Sequence, residues 1–327
     1  MKIGFAGFRH DHIRVLYNQA KAHEEYEIVG AFEDHAETVD KVSAAGVEIT
    51  HNDYKAFLEN EQLEVVAIGA RYSDRGRMAI EALNAGKHVI CDKPLCTRLE
   101  ELCEIERIAK EKGLFVSCML TMRYESKIAG VKALIDSGRL GKIHNVYFGG
   151  QHPLMYGRRP DWYFDGTSHG GVINDIAIHG IDLLSFLCGL DLDKMKINAA
   201  RCWNAYATHE PAFKDSAQLM LTAESGAGII ADVSYAIPDG VGFGFPGYWQ
   251  FYIWGERGVI SFSMNSDAIF LEKGNPIGQP IEAIKTVDYL TDFLRLTKGE
   301  EAVLPMSDVF SSSRVTLEIQ KLADLND

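Results

Sequence analysis

Basic residues are scarce in this 327-residue sequence: 33 Lys and Arg stand against 46 Asp and Glu, a formal net charge of −13. Phosphate neutralisation needs clustered positive charge, so this balance argues against a nucleic-acid binder and against docking on an anionic membrane. Cysteine is sparse too. Six thiols (Cys91, Cys96, Cys103, Cys118, Cys188, Cys202) are too few and too spread for a disulfide framework in a chain this long. The spacing of the first three fits no common zinc pattern, and no metal is expected. Uninterrupted apolar runs of the ~18 residues a membrane helix needs are missing. Met1-Lys2 leads straight into Ile3-Gly4-Phe5-Ala6-Gly7 and then charged Arg9-His10-Asp11, which is not a signal-peptide pattern, so a cytoplasmic location is expected. Internal repeats and low-complexity stretches are absent as well. What remains is ordinary globular material, 46% hydrophobic and 24% charged. At about 150 residues per domain, the length suggests two domains.

The first 120 residues alternate short apolar runs with helical stretches. Ile3–Gly7, Glu27–Phe32, Val65–Gly69, His88–Cys91 and Leu114–Cys118 read as buried strands. Between them, His12–Ala22, Arg77–Asn84 and Arg98–Lys112 read as helices, the last closed by Gly113. This predicts βαβ units and a doubly wound parallel sheet, an α/β Rossmann domain over residues 1–122. Beyond a helix at 127–137 the texture changes to longer alternating strands: Ile143–Gly149, Lys196–Arg201, Ser216–Ala223, Gly228–Tyr235, Trp249–Trp254 and Val259–Ser263. Helices are predicted only at 171–188, near 280–297 and near 308–324. Residues 123–327 therefore read as an α+β domain on a large, mainly antiparallel sheet.

Where the first strand turns into the first helix, such folds bind pyrophosphate on a G-x-G-x-x-G loop. Here the loop is Gly7-Phe8-Arg9-His10-Asp11-His12, with only the first glycine in place. Arg9 either contacts a phosphate directly or fills the space the cofactor needs. His10 and His12 read as solvent-facing or capping rather than as metal ligands. Glu33 ends the second strand, where an acidic residue takes the adenosine ribose hydroxyls. Asp34 follows with no Arg beside it, so NAD is expected over NADP.

Two further stretches carry candidate chemistry. Asp92-Lys93-Pro94 sits at the carboxyl end of the fourth strand, the edge that faces ligand in an open α/β sheet. A lysine there stabilises charge developing on a substrate oxygen, and Pro94 suits a tight, often cis, corner. The second stretch runs Gly170-Gly171-Val172-Ile173-Asn174-Asp175-Ile176-Ala177-Ile178-His179. Asp175 and His179 are spaced i, i+4, one helix face, and a carboxylate beside an imidazole is the arrangement of a general base.

These motifs resemble the glucose–fructose oxidoreductase/inositol dehydrogenase/MocA family of NAD(P)-dependent oxidoreductases. Gly86-Lys87-His88-Val89 through Asp92-Lys93-Pro94 is similar to that family's GKHV-x-x-E-K-P, with Asp92 for Glu. Gly170-Gly171 through Asp175, His179 and Asp182 is similar to its G-G-x-x-x-D-x-x-x-H-x-x-D. The resemblance implies hydride transfer between nicotinamide and a secondary alcohol of a sugar, cyclitol or polyol. It implies that Lys93 polarises the substrate hydroxyl, that His179 takes its proton, and that Asp175 positions substrate or tunes His179. It also implies a homodimer or homotetramer built on the outer sheet face. Ala70-Arg71-Tyr72 replaces the family's T-P-N, so both departures fall in the cofactor pocket. That pocket is expected to comprise Gly7, Phe8, Arg9, His10, His12, Glu33, Ala70, Arg71, Tyr72, Asp92, Lys93 and Pro94.

The polar and aromatic loop 151–169 precedes the active helix. His152, Trp162 and Tyr163 are candidates to bind substrate with Lys93, Asp175 and His179; Arg158 and His169 also stand there. The apolar, glycine-rich segment 240–247 reads as an oligomer contact or a lid. Two other readings stay open: a non-redox sugar or nucleotide binder of the same fold, or an enzyme that uses bound NAD transiently for elimination, glycoside cleavage or epimerisation.

Overall fold

In the computed structural model, residues 1–238 and 240–326 are described. The chain divides into two compact units: Met1–Met119 with Asp288–Phe310, and Leu120–Val287 with the segment from Ser311 on.

The first unit is a five-stranded parallel sheet of β1 (Lys2–Phe8), β2 (Glu27–Phe32), β3 (Val65–Gly69), β4 (His88–Cys91) and β5 (Val116–Cys118), in the order β2-β1-β3-β4-β5. β3 is buried at every residue, as a strand covered by helices on both faces must be. The chain leaves β1 to one side for β2 and crosses to the other for β3. That reversal of direction opens a crevice at the carboxyl ends of β1 and β3. The helix His12–Ala22 packs tightly over it: a Cβ at Gly69 would collide with Ile13. The next long helix begins at Tyr72, earlier than the apolar period suggests, because its first turns bury Arg75 and Gly76. Gly76 leaves room for the Glu101 carboxylate. Asp288–Phe310, assigned to the second domain on sequence, belongs to this unit. Its helix Tyr289–Thr297 buries Tyr289, Leu290, Phe293 and Leu294. Tyr289 donates to Ser117 Oγ at 2.8 Å, and Tyr26 donates to the Leu290 carbonyl at 2.9 Å.

The second unit holds an eight-stranded sheet of β6 (Ile143–Pro153), β7 (Lys196–Trp203), β8 (Ser216–Thr222), β9 (Gly228–Ile237), β10 (Gln250–Gly255), β11 (Gly258–Phe262), β12 (Ile269–Glu272) and β13 (Gln279–Pro280). Its order is β13-β12-β11-β10-β6-β9-β8-β7, antiparallel except for the β6–β9 pair. Strand alternation sorts the faces: Phe251 and Ile253 are buried, whereas Tyr252 and Trp254 are 40% and 37% exposed. The predicted helix 171–188 is a π segment Ile173–Ala177 followed by an α-helix Ile178–Cys188, with a separate short turn Gly166–His169 before it. Within Gly166–Cys188 an 18-residue window reaches a mean hydropathy of 1.4, enough to span a membrane by composition, but 78% of it is buried inside the fold.

Candidate active site

In the first unit, the turn after β1 is set by Gly7. Its φ of +80° is left-handed, and a Cβ there would lie 2.8 Å from the Ala70 Cα. Only glycine meets both demands. The N–H groups of Arg9 and His10 turn inward, both donating to the Gly69 carbonyl, at 3.0 and 3.3 Å. Phe8 contributes backbone alone; its ring is buried against Phe5 and Tyr17. Glu33 is buried at the end of β2, and its carboxylate accepts from the N–H groups of Phe8 (2.7 Å) and His35 (3.1 Å). Burial raises its pKa against the pull of those donors. Gly7, Arg9, Glu33, Asp34, Ala70 and Arg71 line one cleft of about 290 Å³, partly open to solvent. Arg71 is tied to Asp74 at 2.8 Å.

Deeper in the same unit lies an ion-pair knot. Asp92 is fully buried, and its Oδ2 accepts from Arg75 Nη2 at 2.9 Å and faces His10 Nδ1 at 2.6 Å. Its Oδ1 faces His12 Nδ1 at 3.2 Å. Burial opposes the Asp92 charge, but Arg75 and then the histidines hold its pKa well below the usual carboxylate range. Arg75 also donates to the carbonyls of Ala70 (2.9 Å), Asp92 (2.9 Å) and Pro94 (3.2 Å), which fixes the corner carrying Lys93. The Lys93–Pro94 bond is cis, and Lys93 is buried. Tyr72 does not line the cleft; it is buried with the Arg75 guanidinium 4.4 Å from its ring centroid. His10 thus turns inward, not outward as expected, whereas His12 keeps about half its side chain exposed. His10, His12 and Asp92 lie within 4.8 Å of one another, near enough to share a cation, although Arg75 already engages the same carboxylate.

In the second unit, Gly170 and Gly171 take φ values of +75° and +96°. A Cβ at Gly171 would strike Gln320, whose Oε1 accepts from the Ile173 and Asn174 N–H groups at 2.9 and 3.3 Å and so caps the π segment. The segment presents Asp175, whose Oδ2 accepts from Tyr163 at 2.6 Å and from Tyr235. His169 Nε2 lies 3.0 Å from Tyr235 Oη and 3.5 Å from Asp175. Trp162 packs on Tyr163, with centroids 5.5 Å apart. Of the two neighbouring arginines, Arg158 is exposed, while Arg159 lies 4.2 Å over the Tyr163 ring. The i, i+4 argument for Asp175 and His179 assumes 3.6 residues per turn, which the π segment does not keep. His179 is buried edge-on to Trp249, centroids 5.5 Å apart, and the His152 ring also meets that indole at 5.5 Å. Asp182 is a structural residue, held bidentate by Arg123 at 2.8 and 2.6 Å in the core.

Three residues escaped the sequence reading: Arg75, Tyr235 and Trp249. Tyr235 and Trp249 were read only as strand residues. Trp249 carries a φ of +53°, which is costly for a bulky residue and typical of functional loops. No local pattern marks Arg75, which looks like any helix-surface arginine.

Comparison with known proteins bears on this arrangement. The sequence profile described as the oxidoreductase family with an NAD-binding Rossmann fold matches residues 2–119, and that of the GFO/IDH/MocA C-terminal domain matches residues 107–261. A 1-carboxy-3-chloro-3,4-dihydroxycyclohexa-1,5-diene dehydrogenase of Comamonas testosteroni is 31% identical over 42% of this chain and 34% of its own. An inositol 2-dehydrogenase of Salmonella typhimurium is 25% identical over 71% of this chain and 65% of its own. The chain thus spans between a third and two thirds of the length of these curated relatives. A levoglucosan dehydrogenase solved with NADH and L-sorbose superposes with a TM-score of 0.81 at 18% identity, covering 100% of this chain and 97% of that one, a likeness of fold. With both halves matched by profiles of a single family, the chain belongs to the GFO/IDH/MocA family of NAD-binding oxidoreductases.

Proposed function

We propose that this protein is an NAD-dependent dehydrogenase of a secondary alcohol on a sugar, cyclitol or polyol. The observation that carries the reading is the buried polar wall of the second unit. Asp175, Tyr163, Tyr235 and His169 hydrogen-bond together on elements next to His179, whose imidazole rests on Trp249. Alternating donors and acceptors beside an aromatic face match a ring carrying several hydroxyls. The names of the relatives, an inositol and a levoglucosan dehydrogenase among them, support the same class.

The residues of the first unit fit a dinucleotide. Gly7 keeps the turn after β1 open, Arg9 and Arg71 offer guanidinium groups to phosphate, and Glu33 retains lone pairs for ribose hydroxyls. Glu33 and Asp34 would repel a 2′-phosphate, which favours NAD over NADP. Once bound, the nicotinamide supplies the acceptor or donor of hydride. The chain's own residues manage the proton. Lys93 stabilises negative charge on the substrate oxygen, His179 accepts the hydroxyl proton, and Asp175 holds a neighbouring hydroxyl.

A panel of inositols, aldoses and anhydrosugars with NAD⁺ or NADP⁺ tests the reading by absorbance of the reduced cofactor. One substrate oxidised with NAD⁺ preference is expected; an inert panel without dinucleotide binding would sink it. Arg9 at the second glycine position favours a second reading, a non-redox binder. That reading predicts sugar binding without turnover at any cofactor concentration.

A further inference from the structure

We propose that His10 and His12 grip the dinucleotide pyrophosphate as imidazolium ions formed on binding, so that cofactor capture takes up protons. This rests on the dinucleotide reading above.

A glycine loop ordinarily holds pyrophosphate through backbone N–H groups. Here that route is closed in part, because the N–H groups of Arg9 and His10 are both spent on the Gly69 carbonyl. Side chains must supply the missing donors, and the loop carries two imidazoles where the family pattern leaves room for backbone. Both turn Nδ1 toward Asp92, at 2.6 and 3.2 Å, so the neutral rings carry Nδ1–H and hold a lone pair at Nε2 on the opposite edge. A lone pair repels a phosphate oxygen, whereas an Nε2–H donates to it. Binding an anion on that edge therefore requires a second proton on the ring.

The surroundings set the balance. His10 faces Asp92, His12 and Lys93, with Arg75 behind Asp92 and the Tyr72 ring at 5.5 Å. Without ligand, burial pushes His10 down to about 4, against the pull of Asp92. His12, with half its side chain exposed, faces Asp92 and the His10 ring at 4.4 Å. Asp11 between them is occupied by Lys41 at 3.4 Å and Arg14 at 3.8 Å. A pyrophosphate adds two negative charges to this set and tips it toward the protonated rings. The same three side chains around a divalent cation would place it beside Arg75, which engages the carboxylate at 2.9 Å, and near Lys93. An anion is the better guest.

Calorimetric titration of the whole chain with NAD⁺ between pH 5.5 and 8, in two non-phosphate buffers of different ionisation enthalpy, tests this. Net proton uptake is expected, with Kd rising by up to about tenfold per pH unit for each proton. His12→Gln, at a half-exposed position, should keep its fold by circular dichroism yet lose part of the uptake; His10→Gln should do the same. Adenosine, which lacks the pyrophosphate, should bind with no pH dependence. NAD⁺ binding without proton uptake overturns the inference and leaves the dehydrogenase reading standing, as does uptake unchanged in both variants. Zn²⁺ binding that His12→Gln abolishes, with NAD⁺ binding indifferent to pH, makes the cluster a cation site and also overturns it. Failure of NAD⁺ to bind at any pH instead removes the reading beneath it.

Discussion

Arg75 and Asp92 form an ion pair in which neither side chain is exposed at all, with Nη2 2.9 Å from Oδ2. A pair this buried is costly to break from one side, because the survivor keeps its charge without compensation. Arg75→Met should destabilise the chain by about 3–5 kcal/mol in urea unfolding. The Arg75→Met/Asp92→Asn double variant should recover part of that loss. A single variant with an unchanged midpoint would show that the pair is not intact in solution.

The histidine beside this pair makes stability depend on pH. His10 has an ordinary value of 6.5, pushed down to about 4 by burial in the folded chain. Between those values the unfolded chain binds more protons, so stability is full above pH 6.5 and is lost as pH falls toward 4. The loss is at most roughly 3 kcal/mol. His10→Gln should flatten this slope between pH 7.5 and 5. An equal slope in the variant would assign the effect to other groups.

Tyr235→Phe and Tyr163→Phe each remove a donor from a carboxylate. Each should cost about 1.5–3 kcal/mol, the range for a bond to a charged group. The double variant should fall short of the sum, since both donors share Asp175 Oδ2. Tyr206→Phe, at an exposed tyrosine, is the control and should change nothing measurable.

If the proposed proton handling holds, His179→Ala should lower kcat by about 10²–10⁴ while NAD⁺ affinity stays within a factor of two or so. Lys93→Met should lower kcat/KM by a similar factor. Full turnover in either variant would reassign the roles.

The outer face of the large sheet carries a continuous apolar row. Met220 pairs with Ile230, Ile230 with Tyr147, and Tyr147 with Tyr252 in register across four strands. Met220 and Ile230 are 46% and 57% exposed. A second copy of the chain is the expected cover. Light scattering should give a mass at least twice 36.4 kDa, and Ile230→Asp should lower it. A wild-type monomer would rule the interface out.

Legibility in the sequence followed burial. Val65–Gly69 and His88–Cys91 emerged residue for residue because strands covered on both faces leave unbroken apolar runs, and Glu27–Phe32 did so although only its last three residues are buried. The helices Ala36–Ala44 and Tyr54–Leu58 escaped: the first buries only Val42 and the second is barely one turn, so neither shows a period. β12 and β13 escaped for the same reason, with four and two residues. The π segment has no sequence period of its own over five residues. In the candidate site, motif positions pointed to Lys93, Asp175 and His179. Their supports were invisible because they are long-range: Tyr235 reaches Asp175 across 60 positions, and Arg75 reaches Asp92 across 17.

The return of Asp288–Phe310 into the first unit has a bearing on how the protein is made. A ribosome that has finished Met119 has not yet delivered the helix that Tyr26 and Ser117 bond to. At about 5–20 residues per second, the parallel sheet then waits roughly 10–40 s for its last piece. Through that interval the second unit is being synthesised, and the apolar surface destined for Tyr289, Leu290 and Phe293 is open to chaperones.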